Sequence, residues 1–352
     1  MSIATEIQRL QTAKEDITRA LLSIGIDIPS GITLDEYPPY IAPYFFEELT
    51  FNIISGGTIN WKAISSDVIK RLSYSFDNGE TWSEITSSIS GTSFNVNDGD
   101  RVLFKGDNGA YGTSTSFSTF SGTTAVFEVE GNIMSLIDST GFVTATTLGT
   151  MNTFHGLFYG CSTLISAENL VLPATTLAQS CYTNMFDACT ALTKSPKILP
   201  ATTVKYCCYQ YMFRNCTSLT TAPELPATTL DQFCYSDMFT NCSSLTTAPE
   251  LPATTVKYCC YQYMFAGCTG LTTAPELPAT TLASYCYRGM FSSCGKINYI
   301  KCLATDISAV ECVNGWLTRV SSTGTFVKNA NMSNWTRGNN GIPNSWTVQD
   351  AS

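Results

Sequence analysis

The sequence predicts a multidomain chain: an N-terminal helix, a small all-β sandwich, and a solenoid of ~26-residue repeats closed by a C-terminal cap. Three observations carry this prediction. Apolar residues step by three and four along the first 24 positions. Short runs of β-branched and aromatic residues, separated by Gly, Asn and Asp clusters, follow between residues 47 and 138. A Leu-Pro-Ala-Thr-Thr block then returns at Leu172, Leu199, Leu225, Leu251 and Leu277. The segments are therefore 1–46, 47–138, 139–320 and 321–352.

Composition narrows the function classes. The chain has 352 residues, and 13% are charged, about half the usual share. Hydrophobic residues make up 44%, which supports a core and argues against disorder. A net charge of −9 disfavours a nucleic-acid binder, which carries a basic patch. His155 is the single histidine, so a histidine-based metal centre or triad has only that residue to draw on. All 15 cysteines fall between Cys161 and Cys312. No run of 18 apolar residues exists that could span a membrane.

The N-terminal helix comes first. Ile3, Ile7, Leu10, Ile17, Leu21 and Ile24 form a heptad-like seam, with Lys14 in the one polar position. This pattern predicts a short coiled coil that holds a dimer or trimer, with Lys14 setting register. A helix packed on its own domain is the alternative. Pro29 and Gly31 end it. Glu6, Arg9, Lys14, Glu15, Asp16 and Arg19 interrupt any apolar signal run. The expectation is a protein made in the cytoplasm that reaches the outside by another route, such as a virion. The run from Ile7 to Tyr44, with Ile24–Gly31 and Thr33–Tyr37 at its centre, resembles the N-terminal module of tail-fibre and minor structural proteins of tailed phages of gut bacteria. That resemblance implies attachment to other virion tail proteins.

The sandwich is read from Leu49–Ile54, Leu72–Phe76, Ser93–Val96, Val102–Lys105 and Ala125–Val129. Asp77-Asn78-Gly79 and Asn97-Asp98-Gly99-Asp100 mark hairpin turns, because Asn and Gly accept positive φ at low cost. Ser75 to Trp82 fits the SxDxGxTW pattern of the Asp box found in sialidase propellers. The box is a hairpin whose Asp caps the turn over a Trp. A propeller needs several copies and this chain has one, so the motif is read as structure. Trp61 and Trp82 are read as packing residues rather than sugar platforms.

The repeats follow. The Leu-Pro-Ala-Thr-Thr spacings are 27, 26, 26 and 26, and the Phe of each Met-Phe pair keeps the same beat at Phe186, Phe213, Phe239, Phe265 and Phe291. Leu157-Phe158 and Trp316-Leu317 extend it to seven turns with atypical ends, which solenoids need to cover their exposed cores. Residues 199–224 and 251–276 differ only at Arg214/Ala266, Asn215/Gly267 and Ser218/Gly270, so a two-repeat unit is duplicated. Leu219, Ala222 and Leu225 mark a short strand and its exit. Val204, Cys208, Met212, Phe213 and Cys216 read as one inward helical or 3₁₀ face. One strand and one short helix per ~26 residues is the leucine-rich-repeat class.

The Phe-x-x-Cys-x-x-Leu core, as in Phe213-x-x-Cys216-Thr-Ser-Leu219, followed by Leu225-Pro226, resembles the BspA-like (Treponema-type) leucine-rich repeats. The likeness covers about residues 155–320. It implies a curved solenoid used for adhesion or partner binding, with no enzymatic activity and no cofactor. Surface members of that family are exported, whereas this N-terminus shows no export signal.

The cysteines fall into two columns: Cys181, Cys208, Cys234, Cys260, Cys286 and Cys312, and Cys161, Cys189, Cys216, Cys242, Cys268 and Cys294. Cys207, Cys259 and Cys302 are extra. Stacked buried thiols are the preferred reading, since free cysteine packs as a small hydrophobe. Disulfide rungs stand second and need an oxidising route. Zinc is disfavoured, because the columns lie eight residues apart (Cys208, Cys216) rather than in close pairs. No catalytic cysteine is indicated without a base, and His155 is read as a capping-turn residue.

The repeat surface carries hydroxyls and rings. Thr220, Thr221 and Glu224 recur as Thr246, Thr247 and Glu250, and as Thr272, Thr273 and Glu276. Tyr206 and Tyr211 recur as Tyr258 and Tyr263. These residues are the candidate ligand-binding set, for a host surface glycan or protein, because Tyr offers large contact area at low entropic cost. The competing reading is that the Thr ladder solvates a β face and the Tyr ladder packs between turns. The tail, through Trp335 and Trp346, is expected to fold as a hairpin against the last repeat. The sequence thus points to a non-enzymatic phage virion protein, a tail fibre or receptor-binding subunit. A bacterial BspA-like surface adhesin is the alternative. An envelope glycosidase is disfavoured, since no carboxylate pair stands out.

Overall fold

The computed structural model describes residues 14–15, 47–333 and 335–351. Lys14 and Glu15 are helical. The expectations of an N-terminal helix over the first 24 positions, a coiled-coil seam and an oligomer built on it fall on residues outside those described.

Residues 47–136 are β-rich, as expected. The strands are β1 (Leu49–Ser55), β2 (Gly57–Ala63), β3 (Arg71–Ser75), β4 (Ser83–Thr86), β5 (Thr92–Val96), β6 (Arg101–Lys105), β7 (Ser118–Thr119) and β8 (Val126–Asn132). They form two sheets, with orders β8-β1-β6-β3-β4 and β5-β2-β7. Inward residues alternate along β2, where Ile59, Trp61 and Ala63 are buried, as a half-buried strand requires. Aromatic rings join the sheets. Phe51 on β1 lies 4.9 Å from Phe120 and 4.5 Å from Phe104 on β6. Trp61 on β2 lies 4.5 Å from Phe120.

The larger sheet does not stop at β8. Its outer neighbour is β10 (Leu164–Val171), paired in parallel, with Leu164 opposite Phe127 and Val171 opposite Asn132. The rings continue too, with Phe158 5.7 Å from Phe120 and Phe154 6.1 Å from Tyr111. One hydrophobic core therefore runs from the sheets into the first turn of the solenoid.

The solenoid makes about eight turns between residues 147 and 350. Its remaining strands are β9 (Thr147–Leu148), β11 (Thr176–Leu177), β12 (Thr203–Val204), β13 (Thr229–Leu230), β14 (Tyr299–Cys302), β15 (Thr325–Lys328) and β16 (Thr347–Asp350). All pair in parallel with the neighbouring turn, as β9 with β11, β12 with β13, and β14 with β15 and then β16. Identical positions stack along the axis. Phe158, Phe186, Phe213, Phe239, Phe265 and Phe291 form a column with centroids 5.3–5.6 Å apart. Tyr182, Tyr209, Tyr235, Tyr261 and Tyr287 form a second, at 5.6–6.0 Å. Trp316 and Trp335 cover its far end.

Two expectations are corrected. The helix of the leucine-rich-repeat unit is absent from the described turns. Residues 205–216 instead form a ribbon of consecutive turns whose N–H groups alternate in target. Cys208, Gln210, Met212 and Arg214 donate three residues back within the turn, to Lys205, Cys207, Tyr209 and Tyr211. Cys207, Tyr209, Tyr211, Phe213 and Asn215 donate to carbonyls of the next turn, as in Phe213 to Met238 at 2.9 Å. Every fourth residue is left-handed, with φ 55° at Cys207, 58° at Tyr211 and 62° at Asn215. Each such residue costs about 1 kcal/mol or more, offset by a hydrogen bond to the neighbouring turn. The burial period is therefore four, with Cys208-Tyr209, Met212-Phe213 and Cys216 inward. A helix stepping about 100° per residue would drift roughly 80° over those eight residues and turn the last of them away.

The tail is the second correction. Thr325–Lys328 and Thr347–Asp350 run parallel to Tyr299–Cys302, so the segment adds further solenoid strands rather than a hairpin. Without the Leu-Pro-Ala-Thr-Thr motif, the spacing of paired positions is 26 from Tyr299 to Thr325 and shortens to 22 from Thr325 to Thr347.

Candidate functional site

The repeat turns present a turn ribbon, a two-residue strand such as Thr203–Val204, and a separate bridged stretch at 219–224 and its equivalents, here called the strand segment; each meets its counterpart in a neighbouring turn. The strand segment carries Thr220, Thr221 and Glu224, with Thr246, Thr247 and Glu250, and Thr272, Thr273 and Glu276, all exposed. Thr221 bridges to Lys194 and Thr247 to Thr273 in parallel. The hydroxyls of Thr220 and Thr272 donate to Thr193 and Thr246 carbonyls at 2.9 and 3.1 Å. Their protons are thus used within the ladder. Glu276 pairs with Lys301 at 3.0 Å. Glu224 and Glu250, with Pro223, Pro226, Pro249 and Pro252, border a shallow groove of about 350 Å³.

The turn ribbon carries the tyrosines. Tyr206 and Tyr258 are 39% and 41% exposed, while Tyr211 and Tyr263 are half-buried. The Arg214 guanidinium lies 4.3 Å over the Tyr211 ring. Tyr263 rests against Gly289, where a Cβ would come within 2.1 Å of the ring; with φ +62° as well, that position takes glycine. The structure adds two residues that repeat counting missed. Tyr206, Phe233, Tyr258 and Tyr285 form a zigzag of edge-to-face rings, with centroids 5.9, 5.3 and 5.5 Å apart. Phe233 and Tyr285 sit one column over from Tyr206 and Tyr258, in the column that Cys207 and Cys259 occupy in alternate turns. The signal was present as that swap between Tyr-Cys and x-aromatic.

Adjacent turns show where the surface varies. Between 199–224 and 225–250, differences run from Val204/Leu230 to Thr217/Ser243, whereas Ser218–Glu224 and Ser244–Glu250 are identical. The inward Cys-Tyr, Met-Phe and Cys positions are also identical. The strand segment thus repeats over three successive turns, as Leu219–Glu224, Leu245–Glu250 and Leu271–Glu276, whereas Lys205–Phe213 recurs two turns on as Lys257–Phe265.

All 15 cysteines are buried free thiols. Cys189, Cys216, Cys242, Cys268 and Cys294 each donate to the Phe carbonyl of the preceding turn at 3.0–3.1 Å, at Phe158, Phe186, Phe213, Phe239 and Phe265. Burial holds the thiols of Cys189, Cys216, Cys242 and Cys268 well above their ordinary range, and Cys294 at about 12. Among the described residues no group of three His, Cys, Asp or Glu side chains is placed to hold a metal ion, and no helix is long and apolar enough to cross a membrane.

Two isolated motifs have local roles. Asp77 accepts from the Thr81 amide at 2.8 Å and the hydroxyls of Thr81 and Ser75 at 2.5 and 2.7 Å, which holds its carboxyl at about 2. Trp82 donates to the Gly79 carbonyl beneath the same turn. Trp61 is fully buried. His155 is buried against Phe117, with Nδ1 2.6 Å from the Thr113 carbonyl, and burial lowers its pKa. A second hollow of about 540 Å³ lies near the C-terminus, but its two carboxylates are engaged. Asp306 accepts from the Ser308 amide and Glu311 pairs with Arg288.

Comparison with family models, with characterised proteins and with solved structures gives no match for this chain.

Proposed function

We propose that this chain is a non-enzymatic phage virion protein, a tail fibre or receptor-binding subunit, that recognises a host cell surface through its solenoid. The observation that carries this reading is the surface of the stack. Exposed Thr, Glu and Tyr residues recur at fixed pitch on a core of stacked rings, so one weak contact can be repeated along an extended ligand. Repetition converts such contacts into avidity without new chemistry. The N-terminal segment attaches the protein to other tail proteins, and its seam assembles it into a dimer or trimer.

The test uses the full chain. Labelled protein is incubated with a panel of gut-bacterial strains, and infection is scored on those it binds. Binding to the host strain and protection from infection at saturating protein are expected. Binding to no strain, or no protection of a bound strain, sinks the proposal. Antibodies to the solenoid should decorate purified virions; decoration of uninfected cells instead would assign the chain to a bacterial surface adhesin.

A further inference from the structure

The turn ribbon and the strand segment differ in how many turns separate like side chains, and that difference points to a ligand. This inference rests on the recognition function above and narrows its partner. On the ribbon, Lys205-Tyr206 and Lys257-Tyr258 lie two turns apart, with Asp231-Gln232 in the intervening turn. Lys205 and Lys257 are exposed, and neither has an ion-pair partner among the described residues. Asp231 folds back onto the Gln232 amide at 2.8 Å. Along the axis the charge therefore alternates positive, negative, positive. The rings follow the same beat, since Tyr206 and Tyr258 are the more exposed members of the zigzag.

Strands stack about 4.8 Å apart, so two turns span about 10 Å. That is the length of an extended disaccharide. A polymer charged on every sugar would set an anion against Asp231. A neutral polymer would leave both lysines uncompensated. Duplication of a two-turn unit accounts for the alternation itself but not for its restriction to this surface. The strand segment Ser218–Glu224 is unchanged in the very next turn.

We propose that the turn-ribbon face binds a linear acidic polysaccharide with one carboxylate per disaccharide. Tyr206 and Tyr258 stack on successive equivalent sugars, and Lys205 and Lys257 pair with successive carboxylates. Phe233 and Tyr285 hold those rings edge-on at their spacing.

The experiment titrates the full chain with eight-sugar fragments of hyaluronan and of heparosan, and with a chitin-derived oligosaccharide of equal length. The acidic fragments should bind at least tenfold more tightly than the neutral one, and less tightly as salt rises. Y206A and Y258A should each weaken binding about tenfold. K205Q combined with K257Q should remove most of the salt dependence. Unchanged thermal melting will show that these exposed substitutions leave the fold intact. Equal binding of the neutral fragment, or none of either acidic fragment, overturns the proposal. So does loss of binding in T221A/T247A/T273A with full retention in Y206A/Y258A, which moves the contact to the strand segment. If the intact protein binds host cells but neither acidic fragment, the glycan assignment fails and the recognition function stands. If it binds no cells, the recognition function fails.

Discussion

Phe51 and Phe239 are both fully buried rings, yet their surroundings are unlike. Phe51 touches Phe104 on β6, Phe120 just after β7, Phe127 on β8 and Phe158 in the first solenoid turn. Phe239 stacks only on Phe213 and Phe265, its equivalents one turn away on either side. The two-sheet region is held by contacts between distant and dissimilar positions. The solenoid is held by each position meeting itself. A stack of that kind has a stability that adds up turn by turn, whereas the sheets close as a unit.

The largest expected break in this comparison is alkaline. The sheet region has no cysteine, while the solenoid buries columns of thiols whose pKa values burial raises. In the unfolded chain those thiols lose protons near pH 9. The folded state keeps its protons, so above pH 9 the unfolded state binds fewer and stability falls as pH rises. Hydrogen exchange between pH 8 and 10.5 should show protection disappearing from the turns between 180 and 300 first. Simultaneous loss in β1, β6 and β8 would mean the two regions unfold as one.

Next in size are the ring deletions. Phe51→Ala should cost about 5 kcal/mol, at the upper end for a buried phenylalanine. It should loosen both the sheets and the first turns, since Phe51 also contacts Phe158. Phe239→Ala should cost about 3–4 kcal/mol, with exchange increased only in the neighbouring turns. Denaturant titration gives the energies and exchange mapping gives the reach. An equally wide footprint for both variants would erase the distinction drawn here.

Smaller effects come from single polar groups. His155 lies where the first turn meets the sheets, and burial holds its folded pKa below 6.5. As pH falls through 6.5 the unfolded chain takes up the proton first, so stability falls until the folded value is passed. A drop of at most about 3 °C in Tm is expected, and H155Q should remove that pH dependence. Asp77 should matter least. Its carboxyl is ionised in the fold down to about pH 2, so its contribution is full above the ordinary aspartate range and lost as pH falls through that value. D77A should lower Tm slightly and leave every solenoid turn unaffected.

Repeat register could be read directly, because residues that stack must recur at one spacing. The beat of Phe186, Phe213, Phe239, Phe265 and Phe291 placed the ring column and the two thiol columns. The strands at Leu49, Leu72, Ser93, Val102 and Ala125 were visible from composition. Their partners were not, since antiparallel register depends on which distant strand arrives. Nothing local to Val126–Asn132 announces that it will pair with Leu164–Val171. The backbone of the ribbon was misread for a different reason. Cys208, Met212, Phe213 and Cys216 fit a helical face over one turn, and periods of 3.6 and 4 separate only over longer stretches. Phe233 and Tyr285 went unnoticed as surface residues because a ladder that alternates columns breaks the one-position comparison.

By itself the sequence determined the repeat length, the Phe column and the two columns of thiols. Identical side chains one pitch apart can do little but stack. Only the tertiary structure decided where each N–H in the ribbon is satisfied. Half of them bond to the next turn, and a hydrogen bond between residues 25 apart leaves no mark on local propensity. The same holds for the continuous core between sheets and solenoid, which exists because β8 offers an open edge and β10 fills it.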